Sequence, residues 1–212
     1  MKPVHPNREY RSQPFEREQL DDDPIVLFER WLGEAEEEQV VLPNAMTVAT
    51  LEPCGHPTVR NVLLKGIHNG SLFFYTDYES TKAMAIDADP RVALNFYWAP
   101  MDRQISIMGH ARRTNRQQSE AYFRTRPRES QLSAYISRQT EVVANRELLE
   151  ARYQHAKAEF LNKPVPCKET WGGFEVIPSE YIFWQGRVHR LHDRFRYRRL
   201  NCGAWAIDRL SP

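Results

Sequence analysis

Apolar residues near the N-terminus recur at the spacing of an amphipathic helix. The predicted buried face of that helix carries Phe28, Trp31, Leu32 and Ala35. Asp23 can cap the first turn, and Pro24 suits the first helical position. The pattern predicts a first helix that begins at Pro24 and ends before Pro43.

From residue 45 onward the pattern changes to short runs of β-branched and aromatic residues, separated by turn-forming segments. The predicted strands cover residues 45–51, 58–64, 71–76, 91–98, 103–113, 172–178, 180–186, 189–199 and 204–210. Helical patterns interrupt them at residues 80–88, 115–125 and 145–161. The first strands follow one another as two hairpins, which indicates an antiparallel meander.

Many short strands with helices inserted between them predict a mainly β fold, an antiparallel barrel with peripheral α-helices. The chain lacks the strand–helix alternation of a doubly wound sheet, and it has no GxGxxG or Walker-type loop. Residues 1–20 are polar and contain prolines, so we expect a mobile N-terminal arm. Residues 21–212 are expected to form a single domain.

Composition narrows the class of protein. A formal net charge of +1 argues against a protein that mainly grips long nucleic acids, so any anion site must be a local group of arginines and lysines. Cys54, Cys167 and Cys202 are far apart and odd in number, which favours neither a disulfide framework nor a cysteine-rich zinc site. The chain has no apolar run as long as a membrane span, and its charged start does not fit a secretory signal, so we expect a cytoplasmic protein.

The segment 184–195 concentrates positive charge. If it is extended, Arg190, His192 and Arg194 lie on one face of a strand, and three potential cations in a row need an anionic or electron-rich partner. The alternative is a solvated edge strand whose charges prevent aggregation. His189 and His192 would point to opposite faces, so no metal site is expected.

Two further groups of residues can bind anions. Arg60 and Lys65 flank the apolar second strand and, five residues apart, are expected on opposite faces. A strand ending at Thr76 is followed by a helix start at residues 80–82, where free amides next to Lys82 suit a phosphate. Taken singly, the Arg60 and Lys65 pattern is also typical of an apolar strand with a cation at each end. The helix start at residues 80–82 is also typical of an ordinary capped helix.

A third group occurs in the sequence YFRTRPRES. Tyr122 and Arg126 are four residues apart and share a helical face, and Ser130 follows the break at Pro127, where it can cap the next helix. A tyrosine, an arginine and a capping serine can together bind a phosphate. The alternative is a packed tyrosine beside a solvated arginine.

These groups occur together with the motifs YFxxRPRxSQ, WGGF, FWQG and RLHDR, in this order. On these motifs the chain resembles the pyridoxine/pyridoxamine 5′-phosphate oxidase family along nearly its whole length. The resemblance implies a split β-barrel with a Greek-key-like strand order that forms a homodimer, with FMN bound in clefts between the subunits. It also implies oxidation of pyridoxine 5′-phosphate and pyridoxamine 5′-phosphate to pyridoxal 5′-phosphate by hydride transfer to FMN, with O2 reduced to H2O2.

The resemblance assigns roles to individual residues. The implied FMN contacts are Arg60, Asn61, Val62, Leu63, Leu64, Lys65, Tyr75, Thr76, Lys82, Gln104, Gln139, Thr140, Trp184 and Arg194. The implied substrate contacts are Arg8, Tyr10, Lys65, Tyr122, Arg126, Ser130, Arg190 and His192. Of these, Arg190 and His192 are the implied catalytic pair, and they orient the pyridine ring. Arg8 and Tyr10 belong to the arm that closes over the substrate.

The chain departs from the family pattern at Thr81, where the family usually has an arginine near the FMN phosphate. This change lowers the expected FMN affinity unless another arginine substitutes. One alternative function is a non-catalytic or differently specific split-barrel protein that binds flavin or haem, but RPRES and RLHDR are substrate motifs. Another is a nucleic-acid-binding barrel, which the near-neutral net charge disfavours.

Overall fold

The computed structural model of the protein describes residues 9–10 and 12–212. In these residues nine strands form one antiparallel sheet: β1 (Ala45–Leu51), β2 (Pro57–Leu63), β3 (Gly66–His68), β4 (Ser71–Asp77), β5 (Arg91–Trp98), β6 (Arg103–Arg113), β7 (Trp171–Gln185), β8 (Asp193–Arg199) and β9 (Trp205–Arg209). The same residues form five α-helices: α1 (Pro24–Glu37), α2 (Thr81–Ala88), α3 (Arg116–Thr125), α4 (Arg128–Ile136) and α5 (Arg146–Glu159). The predicted mainly β antiparallel fold with peripheral helices is confirmed.

Local sequence accounts for most element boundaries. The bounds of β1, β5 and β6 coincide with the predicted runs, and α1 begins at Pro24 as predicted. The Asp23 carboxylate accepts a hydrogen bond from the amide of Ile25 at 3.1 Å, which satisfies one of the donors left open at a helix start. Asn115 caps α3 in the same way, by accepting from the amide of Gln118 at 2.8 Å.

The strand order is β2-β1-β5-β6-β7-β4-β3, and β8 and β9 extend the sheet from β7. Of the two predicted hairpins, the first is confirmed, because β1 pairs with β2. The second is wrong: β4 pairs with the short strand β3 and with β7, and it lies far from β2 in this order. The reason is the 15-residue strand β7, which pairs with β6 along most of its length. The first half of β7 also pairs with β4, and its second half pairs with β8.

β7 runs without interruption where the sequence predicted two strands. The register between β6 and β7 shifts after Met108, so that Gly109 faces Pro178 and Ser179 has no partner in the pairing. A Cβ atom on Gly109 would lie 2.4 Å from the carbonyl oxygen of Ile177, so the close approach of the strands requires glycine. The bulge lets a proline lie inside a long central strand.

The main core fills one face of the sheet and is covered by α1. Phe28 packs against Phe96 with ring centroids 5.0 Å apart, and Trp31 packs edge-on against Phe183 at 5.3 Å. Phe15 is also buried, next to Trp31. The core therefore includes part of the segment expected to be an arm outside it, and the division of the chain at residue 20 stays a prediction.

The predicted strand 189–199 is wrong at its start. Residues 188–190 form a tight turn, in which His189 and Arg190 have φ of 57° and 60°. Left-handed backbone cannot continue a strand, and β8 begins only at Asp193. Arg190, His192 and Arg194 therefore do not form one row on a strand face. Only Arg194 of the three lies in β8.

Candidate functional site

A cavity of about 770 Å³ lies among β2, β4, the start of α2, and the α3–α4 region. We call it the basic cavity, because four cationic side chains line it: Arg60, Lys65, Lys82 and Arg126. Eight other predicted ligand contacts also line it: Asn61, Val62, Leu63, Tyr75, Thr76, Tyr122, Gln139 and Thr140. The structure thus brings together twelve residues that come from four separate segments of the sequence.

The predicted placement of Arg60 and Lys65 on opposite faces is wrong. β2 ends at Leu63, and the Lys65 amide donates to the carbonyl of Phe73 at 2.8 Å, so the chain has already turned towards β4. Both side chains therefore line the basic cavity. Leu64, predicted as a contact, is 5% exposed and packs in the core instead of lining the cavity.

Arg60 is held by two threonine hydroxyls and a nearby carboxylate. Its guanidinium donates to the hydroxyls of Thr50 and Thr58 at 2.7 and 2.6 Å, and Glu52 lies 3.7 Å away. Burial lowers the pKa of Arg60, and Glu52 opposes that shift. The arginine remains a cation, because its ordinary pKa is far above neutrality.

Lys82 is the most buried cation in the cavity, with 6% of its surface exposed. Its ammonium group donates to Thr76 at 3.0 Å, to Ser80 at 3.3 Å and to the side chain of Gln139. Burial lowers the pKa of Lys82 to about 8, and the positive charge of Arg60 adds to the shift, while Asp77 opposes it. These cations repel each other, so an anion in the cavity is electrostatically favoured.

Arg126 lies in an aromatic corner of the cavity. Its guanidinium carbon is 4.8 Å from the Trp171 ring centroid. The rings of Tyr75 and Tyr122, which also line the cavity, stack on each other with centroids 3.8 Å apart. Burial lowers the pKa of Arg126, and Tyr122 opposes that shift. Within residues 9–10 and 12–212, its Nη1 atom is buried and has no hydrogen-bond partner. A buried unpartnered donor is costly, which favours an acceptor on a bound molecule.

Ser130 does not cap α4 as predicted. The helix starts at Arg128 after Pro127, so Ser130 lies within its first turn and does not line the basic cavity. Thr140 has a φ of 75°, and its hydroxyl accepts a hydrogen bond from the amide of Thr81 at 3.3 Å. Thr81, which replaces the usual arginine, thus presents its backbone at the cavity wall.

Five other predicted contacts form a second group, which we call the C-terminal cluster: Tyr10, Gln104, Trp184, His192 and Arg194. Gln104, Trp184 and Arg194 are directly paired neighbours across β6, β7 and β8, so their side chains share one face of the sheet. The Tyr10 ring lies edge-on to Trp184 and His192, at 5.5 and 5.1 Å between centroids. None of the five lines the basic cavity.

The protonation state of His192 follows from one backbone contact. The amide of Arg187 donates to Nδ1 of His192 at 3.0 Å, so Nδ1 is an acceptor and the proton is on Nε2. Burial lowers the pKa of His192, Arg190 and Arg194 lower it further, and Asp193 opposes them. His192 is therefore a neutral hydrogen-bond donor through Nε2 at neutral pH.

Besides Leu64 and Ser130, two predicted residues remain outside these groups. Arg190 is exposed on the turn before His192 and lines no part of the basic cavity. Arg8 lies outside the described residues. Conversely, Trp171 and Ser137 line the cavity without having been predicted as contacts. The WGGF motif pointed to the Trp171 region, but no residue chemistry in it indicated a binding role.

Other classes of site are not seen in the described residues. No group of three or more His, Cys, Asp or Glu side chains there could hold a metal ion. Over the same residues, every helix is too short or too polar to span a bilayer.

The fold and the basic cavity define a class: an antiparallel split-barrel protein whose cavity suits anionic small molecules. Residues 32–159 match the family model described as pyridoxamine 5′-phosphate oxidase. Residues 171–212 match the one described as the pyridoxine 5′-phosphate oxidase C-terminal dimerisation region. The chain belongs to the pyridoxamine 5′-phosphate oxidase family, as its motifs indicated.

Individual relatives agree with this assignment. A protein of Rippkaea orientalis named pyridoxine/pyridoxamine 5′-phosphate oxidase is 43% identical and covers 96% of both chains. One of the same name from Rubrobacter xylanophilus is 46% identical over 97% of this chain and 94% of its own.

Solved structures share the fold. PhzG from Burkholderia lata, in complex with tetrahydrophenazine-1-carboxylic acid, superimposes with a TM-score of 0.89 at 25% identity, covering 95% of this chain and 99% of its own. A pyridoxamine 5′-phosphate oxidase-related, FMN-binding protein from Nostoc punctiforme has a TM-score of 0.73 at 16% identity. The match covers 87% of this chain and 97% of that protein.

Proposed function

We propose that this chain is an FMN-dependent oxidase that converts pyridoxine 5′-phosphate and pyridoxamine 5′-phosphate to pyridoxal 5′-phosphate, with O2 reduced to H2O2. The basic cavity is the observation that carries the proposal, because it gathers four cations around one space in a chain of near-neutral charge. Full-length relatives named pyridoxine/pyridoxamine 5′-phosphate oxidase support the same substrates. A cytoplasmic location and the lack of a nucleic-acid or membrane partner stay predictions.

The residues of the basic cavity fit FMN and a phosphorylated substrate together. Each molecule carries a phosphate of roughly −1.5 to −2 charges at neutral pH. Lys82 and Arg60 are the proposed FMN phosphate contacts, supported by the lowered pKa of Lys82 and the hydroxyls around both. Lys65 and Arg126 are the proposed substrate phosphate contacts, and the buried Nη1 of Arg126 supplies a free donor. At about 770 Å³ the cavity is in the usual range for small-molecule sites.

The C-terminal cluster, we propose, completes the basic cavity of a second subunit in a homodimer. Trp184, His192 and Arg194 lie within residues 171–212, the region matched to the family's dimerisation region. All three are removed from the basic cavity of their own chain. A closed two-fold dimer would give two equivalent composite sites.

Bound FMN would supply the hydride acceptor that O2 reoxidises, and the protein supplies position and charge. Arg126 and Tyr122, with Lys65, would fix the substrate phosphate. Arg190 and neutral His192 would orient the pyridine ring from the other subunit, His192 by donating through Nε2. We assign no side chain as a strong general base, so alignment contributes more than proton transfer. Tyr10 and Arg8 would close over the substrate.

Anaerobic mixing tests the function directly. The purified protein, loaded with FMN, is mixed with pyridoxine 5′-phosphate while flavin absorbance is followed. Bleaching, then recovery with peroxide formation on admitting O2, is expected; unphosphorylated pyridoxine, the matched control, should bleach far more slowly. A yellow protein that never bleaches would show a flavin-binding barrel without this activity, and a haem spectrum would indicate the other alternative.

Mixed dimers test the composite site. One subunit carries Arg126→Ala and the other His192→Ala, each variant being nearly inactive alone. Random pairing makes half of the dimers mixed, each with one intact site, so about a quarter of wild-type activity should return. If activity stays at the level of the single variants although mixed dimers form, both groups act within one chain and the composite site is wrong.

A further inference from the structure

Asp193 opens β8 between two proposed site residues, His192 and Arg194, but takes no part in the predicted contacts. Strand alternation turns its side chain to the opposite face of β8 from that of Arg194, and it is 8% exposed. A buried carboxylate is costly unless it is paired and hydrogen-bonded. Its partners therefore indicate what the residue does.

The Asp193 carboxylate joins three segments that are far apart in the sequence. Oδ2 accepts a hydrogen bond from the amide of Phe15 at 3.1 Å and lies 3.5 Å from Nε of Arg187. Oδ1 accepts from Nη1 of Arg209 on β9 at 2.8 Å, and Arg209 also pairs with Glu16. One side chain thus fixes the N-terminal segment, the turn before His192 and the last strand.

Arg187 extends this connection towards the site. Its Nη1 donates to the carbonyl of Ser12 at 2.7 Å, and its amide donates to His192. The Ser12 hydroxyl is in turn bonded to Asp102 at 3.1 Å. The path of residues 12–15 over the sheet is therefore set by contacts that begin at Asp193.

Tyr10 lies just before that path and touches the C-terminal cluster. Its ring lies against Trp184 and His192, and a Cβ atom on Gly186 would approach Tyr10 Cδ1 to 2.6 Å. The glycine of the FWQG motif thus gives the tyrosine room to lie over the strand end. Tyr10 is two residues from Ser12, whose carbonyl Arg187 holds.

We propose that Asp193 is a positioning residue that holds the N-terminal segment, with Tyr10, closed over the C-terminal cluster. Among the described residues, the Asp193 carboxylate contacts neither His192 nor another proposed substrate contact, so it acts through Arg187 and Phe15. The proposal rests on the proposed function in one respect: it assumes that the C-terminal cluster faces the substrate. The competing interpretation is a buried ion pair that stabilises the fold and nothing else.

The experiment uses the full-length dimer of Asp193→Asn, with Asp208→Asn as the matched control. Asp208 also pairs with an arginine of β8, Arg196, at 2.8 Å, but this pair does not contact the described part of the N-terminal segment. Chymotryptic cleavage after Tyr10 is timed by mass spectrometry under native conditions. We expect Asp193→Asn to speed cleavage on the order of tenfold and the control to leave it unchanged.

The kinetic readout is KM against kcat for pyridoxine 5′-phosphate. A segment that closes over substrate affects binding first, so KM should rise on the order of tenfold in Asp193→Asn while kcat changes less. If Asp193→Asn only lowers the unfolding midpoint, with cleavage and KM equal to those of the control, the positioning role is overturned.

A second variant covers the case in which Asp193→Asn does not fold. Arg187→Gln keeps the pair of Asp193 and Arg209 but removes the bond to Ser12, and the same faster cleavage is expected. Unchanged cleavage in Arg187→Gln would overturn the proposal. Because cleavage is measured on the protein without substrate, its result stands even if the chain fails to oxidise pyridoxine 5′-phosphate.

Discussion

The guanidinium of Arg126 lies 4.8 Å from the Trp171 ring centroid, with its buried Nη1 atom unpartnered within the described residues. The indole face attracts the cation but offers no hydrogen-bond acceptor. Trp171 therefore holds the arginine in place while leaving its donors for another molecule. This relationship joins the WGGF and RPRES motifs at one point of the basic cavity.

Arg126→Met should impair substrate binding more than it impairs turnover. The change keeps the length of the side chain and removes its charge-assisted hydrogen bonds, which are each worth roughly 1.5–3 kcal/mol. We expect KM for pyridoxine 5′-phosphate to rise about a hundredfold, with a smaller change in kcat. Arg124→Met, near the end of α3 and an exposed partner of Glu120, is the control, and its KM should stay within about twofold of wild type. A fall in kcat at unchanged KM would contradict this role.

FMN binding should depend on pH through Lys82. Its pKa is lowered to about 8 in the protein without ligand, and a bound phosphate would raise it, so binding takes up a proton above that pH. Affinity, measured by flavin fluorescence titration, should therefore fall as pH rises through 8, by at most about tenfold per pH unit. Lys82→Met should bind more weakly and lose this dependence, whereas Lys157→Met, on the exposed face of α5, should keep it. A wild-type affinity that stays constant from pH 7 to 9 would exclude a charged Lys82 as the contact.

His192 should lose its function at acidic pH, when its ring becomes protonated. Its lowered pKa means that the ring stays neutral to a lower pH than an ordinary histidine does. Protonation places a hydrogen on Nδ1 facing the Arg187 amide, which breaks that contact. We expect kcat/KM to fall on the acidic side, with a midpoint below the ordinary histidine pKa of 6.5. His192→Gln, which has an amide near the Nε2 position and cannot titrate, should retain more activity than His192→Ala and lack that acidic fall.

Nitrogen-15 NMR provides an independent check of the tautomer, because Nε2 should carry the proton at pH 7. His155→Gln on α5 is the kinetic control and should leave the pH profile unchanged. A spectrum showing protonated Nδ1 would rule out the assigned role of His192 as a donor through Nε2.

Gly173 should resist substitution because it faces Tyr75. A Cβ atom there would lie 2.8 Å from Tyr75 Cε1 and 2.9 Å from the Thr114 hydroxyl. Gly173→Ala should lower the free energy of unfolding by about 1–3 kcal/mol and weaken FMN binding by displacing Tyr75. Gly33→Ala is the matched control: nothing lies within 4 Å of its Cβ, and the helix should gain up to ~1 kcal/mol. Equal urea midpoints for the two variants would refute the steric argument.

The local structure was largely predictable from residue periodicity. β1, β5, β6 and the start of α1 follow from alternation, helical spacing and capping, which depend on neighbours in sequence. The residues of the basic cavity were found as separate cationic clusters, and the shared motifs assigned them to one site. Spacing alone placed Lys65 on the wrong side of the sheet relative to Arg60. It assumed that the strand continues to Lys65, whereas β2 ends at Leu63.

The sequence by itself determined the family, the mainly β class and the cationic residues that can bind an anion. Only the tertiary structure decided that Arg60 and Lys65 share one cavity, that the 188–190 turn breaks the predicted row of cations, and that Asp193 reaches Phe15 across 178 positions. The physical reason is that periodicity reports which side of an element is buried, whereas the pairing of distant segments depends on the packing of the whole chain.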